Sequence, residues 1–198
     1  MQIEYIRFVL EEVFHKKKNL KCEYISEIKE FKDIKKYVNE VMKELEKGKR
    51  SRWIGVLYKY IYEQQLNFLD YKNYDEITND NGVYVIADSE GNVLYIGKSD
   101  RQDYDIFTKL FDLLVPKCSE EYPRGQRSNN TPEVWNNEIK VNKNLKIVVC
   151  ANISFDPELL KAYLLDKYNL KYGYYPKYNK KVPRQVIEEA LFDNIQYL

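Results

Sequence analysis

Gly82-Val83-Tyr84-Val85-Ile86-Ala87-Asp88-Ser89-Glu90-Gly91-Asn92-Val93-Leu94-Tyr95-Ile96-Gly97-Lys98-Ser99 is the stretch whose reading decides the fold. Two runs of β-branched and aromatic residues, Val83 to Ile86 and Val93 to Ile96, flank a turn built from Asp88, Ser89, Glu90, Gly91 and Asn92. That pattern predicts a β-hairpin, because branched and aromatic side chains suit a pleated surface and Asp, Gly and Asn suit tight turns. Gly82 opens the first strand and Gly97 closes the second, so a bare backbone at each end lets another chain approach closely. Antiparallel pairing sets Tyr84 near Tyr95, with Lys98 and Ser99 beside them.

The rest of the chain bounds what this hairpin belongs to. Its 198 residues are enough for one or two domains with a real core, and 44% apolar against 32% charged residues reads as a soluble globular protein. The net charge of +1 gives no global attraction to a polyanion, so a nucleic-acid site must come from local clustering. Three widely spaced cysteines, Cys22, Cys118 and Cys150, read as thiols of a reducing compartment rather than as a disulfide framework or a zinc site. The only histidine, His15, stands beside Lys16, Lys17 and Lys18, which excludes paired-histidine metal sites. With no apolar leader and no apolar run of about 18 residues, the expectation is a cytoplasmic protein without a membrane partner.

In chain order, residues 1–78 are expected to be helical throughout. Ile3, Ile6, Leu10, Val13 and Phe14 recur at helical spacing, as do Ile25, Ile28, Phe31, Val38, Val41, Met42 and Leu45, and Ser51 caps a third stripe from Trp53 to Leu69. The polar segment up to Asn81 places a boundary, giving an N-terminal helical region over 1–78 and a second domain over 79–198. After the hairpin, Ile106 to Leu114 predicts a helix stopped by Pro116, and the irregular segment to Trp135 carries Arg124 and Arg127. Leu145 to Ile153 predicts a buried third strand. Asp156-Pro157 then starts a helix through Leu160, Leu164 and Tyr168, and a last helix is expected over 185–198. The fold class is α+β: a small, mostly antiparallel three-stranded sheet flanked by helices.

The pair Gly82-Val83-Tyr84 and, ten residues on, Tyr95-Ile96-Gly97 resembles the GIY-YIG nuclease family in both residues and spacing. A second half of the resemblance follows in the correct order, with Leu164-Leu165 on a helix and then Pro176-Lys177-Tyr178-Asn179, so that together it spans residues 82–179. The chain departs from the family at two points. Lys161 stands where the family carries its metal-binding glutamate, and Asp105 stands near the place of its phosphate-binding arginine. Glu158, one helical turn earlier, is the acid that reaches the same face, although its place in a first helical turn is favoured by the helix dipole in any case.

What the resemblance implies is metal-dependent hydrolysis of a DNA phosphodiester bond. The implied catalytic set is Tyr84, Tyr95, Lys98, Arg101, Glu158 and Asn179, with Glu158 holding Mg²⁺ or Mn²⁺ and Arg101, Arg124 or Arg127 meeting the phosphate. A phenol titrating near ~10 is a poor base, so Tyr84 or Tyr95 needs a cation such as Lys98 to favour the phenolate. DNA contacts are expected from Arg124, Arg127, Lys167, Lys171, Lys177, Lys180, Lys181 and Arg184, interleaved with tyrosines that offer stacking surfaces and hydroxyl donors. Lys161 and Asp105 favour the alternative, a GIY-YIG-like nucleic-acid-binding or interaction module without catalysis.

Overall fold

The computed structural model describes residues 1–16, 20–32, 36, 39, 40, 43, 81–99 and 144–179. Helix α1 (Gln2–Lys16) is followed by the short strands β1 (Cys22–Ile25) and β2 (Lys29–Phe31). The hairpin is β3 (Gly82–Ala87) and β4 (Val93–Ser99), and β5 (Leu145–Ile153) precedes helix α2 (Pro157–Tyr172). All pairings are antiparallel, in the spatial order β1-β5-β3-β4 with β2 also on β5.

The class is therefore α+β, but among the described residues the sheet has five strands where three were expected. The two additional strands come from a region expected to be helical throughout, and the reason lies in the three residues between them, Ser26, Glu27 and Ile28. Ile25, Ile28 and Phe31 fall three apart, a spacing that imitates one face of a helix. In the fold Ile25 and Phe31 fall in two short strands separated by residues 26–28, lying end to end along β5 with Ile25 opposite Cys150 and Lys29 opposite Ile147. Ser26 keeps the ladder satisfied through the break: its N–H donates to the Val149 carbonyl (2.8 Å) and its Oγ accepts from the Val149 N–H (2.9 Å). Pairing with a long buried strand overrides local spacing here, because tertiary context dominates weak intrinsic preference.

One face of the sheet carries both described helices. Ile3, Ile6, Leu10 and Val13 of α1 pack with Val83, Val85, Ile96, Val148 and Cys150 of the sheet and with Leu160, Leu164 and Tyr168 of α2. The stripe on α1 has the predicted i, i+3, i+4 spacing, so the helix buries a single face. Helix α2 starts as the sequence predicts. The Asp156 side chain caps it by accepting from the Glu158 N–H (2.8 Å), with Pro157 in the first turn. It ends at Gly173, whose N–H donates to the Asn169 carbonyl (2.8 Å).

Alternation along the hairpin sorts the signature residues onto two faces. Val83 lies opposite Lys98 and Val85 opposite Ile96, facing the helices, whereas Tyr84 lies opposite Gly97 and Ile86 opposite Tyr95, facing the other way. That second face is also buried: Ile86, Ile147, Val149 and Ala151 have no accessible surface. The expected helices over 53–69, 106–114 and 185–198 lie outside the described residues.

Candidate functional site

The hairpin ends are shaped by two glycines that tolerate no side chain. A Cβ on Gly82 would be driven into the carbonyl oxygen of Cys150 and lie 3.0 Å from its carbon, because β5 runs alongside that backbone with Ala151 opposite Gly82. A Cβ on Gly97 would sit 2.5 Å from the Tyr84 hydroxyl oxygen and closer still to ring carbons Cζ and Cε2. The phenol end of the Tyr84 ring therefore lies against Gly97, 3% exposed, with its ring centroid 6.2 Å from that of Tyr95 and the planes tilted by 46°. The proximity expected of the two phenols is present. Tyr84, however, is an element of the packed interior rather than of an open cleft.

Tyr95 is less enclosed, and its phenol is shifted away from the direction that base chemistry requires. Burial pushes its pKa up, and the negative charge of Glu158 pushes it further. Both effects penalise the phenolate.

Glu158 sits in the first turn of α2, where Asp156 caps the helix. Its Oε2 is 3.1 Å from the Lys98 ammonium and its Oε1 is 3.3 Å from that of Lys161. Burial alone would raise the carboxyl, but Lys161 and then Lys98 outweigh it and hold the group below the ordinary carboxylate range. Lys98 leaves the sheet on the helix face, so its ammonium meets this carboxylate; the expectation had it supporting a phenolate. The partnership with Lys161 was legible in principle, since residues 158 and 161 are three apart on a helix.

This donor set does not suit Mg²⁺ or Mn²⁺. Such ions need several oxygen ligands in near-octahedral array, and here each oxygen of the single carboxylate already faces an ammonium group. A divalent cation would have to displace both and remain among like charges. Among the described residues there is no cluster of three His, Cys, Asp or Glu side chains able to hold an ion.

Asn179 has a definite structural task. Its Oδ1 accepts from the Ile96 N–H (2.8 Å) and its Nδ2 donates to the Ile96 carbonyl (2.8 Å), while the Tyr178 N–H donates to the Leu94 carbonyl (3.0 Å). The amide thus occupies the outward-facing backbone groups of β4 as another strand would. These bonds fall on Ile96, in the middle of the Tyr95-Ile96-Gly97 run.

The Lys- and Tyr-rich surface is divided between packing and exposure. Tyr168 is fully buried, donates to Gln2 Oε1 (2.6 Å) and packs 4.7 Å from Tyr172 and 5.8 Å from Tyr174. Gln2, which sequence reasoning passed over, joins these elements: the same Oε1 accepts from the Val93 N–H (2.8 Å) and its Nε2 donates to the Tyr174 hydroxyl (2.9 Å). The lysines lie around this tyrosine cluster. Lys171 Nζ stands 3.7 Å over the Tyr5 ring, Lys167 5.2 Å over Tyr163 and Lys177 5.2 Å over Tyr178. Lys171 and Lys177 are exposed, as is Tyr174. Arg101, Asp105, Arg124, Arg127, Lys180, Lys181 and Arg184 lie outside the described residues.

No helix among the described residues is long and apolar enough to cross a membrane. No protein-family model matches the chain, and neither a curated protein nor a solved structure matches it.

Proposed function

We propose that this chain is a GIY-YIG-like nucleic-acid-binding module of the cytoplasm that holds a phosphodiester backbone without metal-dependent hydrolysis. The observation that carries this reading is the Glu158 carboxylate closed between Lys98 and Lys161, at the place where a hydrolytic site of this kind needs an acid open to a cation. The Tyr84 ring packed over Gly97 and the raised Tyr95 phenol point the same way, since neither favours a base able to activate water. For binding, residues 161–179 present Lys167, Lys171 and Lys177 against the lone carboxylate of Asp166, interleaved with tyrosine rings. Ammonium groups neutralise phosphates and release their counterions, while exposed rings such as Tyr174 offer stacking surface.

The test pairs two measurements on the full chain. Fluorescence anisotropy with labelled duplex and single-stranded DNA is expected to show binding that weakens with salt. Lys167→Gln, Lys171→Gln and Lys177→Gln together should flatten the slope of log affinity against log salt by up to about one unit for each phosphate no longer neutralised. Supercoiled plasmid with Mg²⁺ or Mn²⁺ is expected to remain intact. Metal-dependent nicking that disappears in Glu158→Gln would overturn this reading in favour of the endonuclease. Absence of DNA binding at low salt would remove the nucleic-acid partner altogether.

A further inference from the structure

We propose that Cys22 and Cys150 form a redox-active dithiol, a modification site for peroxides in which Cys22 is oxidised first and Cys150 closes the disulfide. The two residues stand 128 positions apart in sequence, yet their sulfur atoms are 3.1 Å apart, within sulfur hydrogen-bond distance. Cys22 belongs to β1, the outer strand in the described order, and is partly accessible, whereas Cys150 is buried within β5. One thiol is therefore reachable by a small oxidant and the other is shielded from it.

The asymmetry extends to reactivity. A hydrogen bond from Cys150 lowers the Cys22 thiol below its ordinary value despite burial, and burial pushes Cys150 well above its own. Since the thiolate is the nucleophile, Cys22 is the sulfur that reacts. Its thiolate attacks one oxygen of hydrogen peroxide, the O–O bond breaks, and the departing hydroxide takes a proton to leave as water. Cys22 is then a sulfenic acid, oxidised by two electrons as the peroxide is reduced by two. The Cys150 sulfur next attacks the Cys22 sulfur and displaces the hydroxyl group, which leaves as a second water with the Cys150 proton. The sum is two thiols and one peroxide giving one disulfide and two waters. Closure to a disulfide length of about 2.05 Å requires the sulfurs to approach by roughly 1 Å. Ile25, rather than Cys22, lies opposite Cys150 in the ladder, so the bond draws the start of β1 across β5.

The experiment uses the full chain carrying Cys118→Ser, so that Cys22 and Cys150 are the only thiols, with folding of each variant checked by circular dichroism. Treatment with stoichiometric hydrogen peroxide is expected to remove both titratable thiols, to lower the intact mass by two hydrogens, and to yield a single cross-linked peptide pair that dithiothreitol releases. With Cys150→Ser added, oxidation should stop at a dimedone-trappable sulfenic acid on Cys22. With Cys22→Ser added, Cys150 should remain a thiol. Retention of both thiols, added oxygen on Cys22 without a cross-link in the parent, or equal oxidation of Cys150 when Cys22 is absent would each overturn the proposal. These readouts are independent of DNA binding.

Discussion

Gly97→Ala is the sharpest probe of how the hairpin signature is used. The added methyl carbon would start 2.5 Å from the Tyr84 hydroxyl oxygen and nearer still to two ring carbons, where carbon contacts become favourable only at about 3.5 Å. The ring must retreat by roughly 1 Å from a site in which it is 3% exposed and bounded by Tyr95. Overpacking of this kind costs about 1–3 kcal/mol, offset by about 0.5–1 kcal/mol from the reduced backbone freedom of the unfolded chain. The expected net loss is roughly 1–2 kcal/mol, or about 2–8 °C in Tm for a chain of this size. Urea and thermal unfolding followed by circular dichroism measure it, and a double-mutant cycle supplies the control. In a Tyr84→Ala background the clash is gone, and Gly97→Ala should become neutral or mildly stabilising. Equal destabilisation in both backgrounds, or a stabilised single variant, would refute the claim that Gly97 is required by the Tyr84 ring.

Asn179→Ala strips both partners from the backbone of buried Ile96 and should cost about 2–4 kcal/mol, with faster hydrogen exchange at the Ile96 amide. Glu158 has a depressed folded pKa, so its contribution to stability is present above the unfolded carboxylate value and is lost as pH falls through the folded one. With its side chain 40% exposed and screened, that contribution is about 0.2–1 kcal/mol, seen as parent and Glu158→Gln unfolding curves that converge in acid. The Tyr95 phenol should ionise above free tyrosine in an ultraviolet titration, and Glu158→Gln should bring it part of the way back while burial keeps the remainder. A Tyr95 that titrates below free tyrosine would restore the phenolate-base argument.

The elements fixed by short-range chemistry were the readable ones. The Asp88 to Asn92 turn, the branched runs on either side and the Asp156-Pro157 helix start all act within a few residues, and each appears where the sequence puts it. β1 and β2 were not readable. Their identity depends on a hydrogen-bond partner more than a hundred positions away, and Ser26 hides the break by lending its own hydroxyl to the ladder. In the candidate site, the nearness of Tyr84 to Tyr95 followed from hairpin register. What register could not supply was burial. That the Tyr84 ring covers a glycine, and that Lys98 pairs with Glu158 of α2, depends on what packs against each side of the sheet. Gln2 gave no signal, since a single glutamine early in a helix has no distinguishing pattern until Val93, Tyr168 and Tyr174 surround it.

The amide of Asn179 clamped on Ile96 also binds two parts of the chain into one opening unit. A strand rim with unoccupied peptide groups invites an additional strand from another molecule, and at Leu94 and Ile96 that invitation is already taken by residues 178 and 179. Exposing those peptide groups requires the tail of α2 to lift away. The hydrogen-bonded amides of β4 should then acquire and lose protection in step with those of the last turn of α2, as a single cooperative piece of the native ensemble.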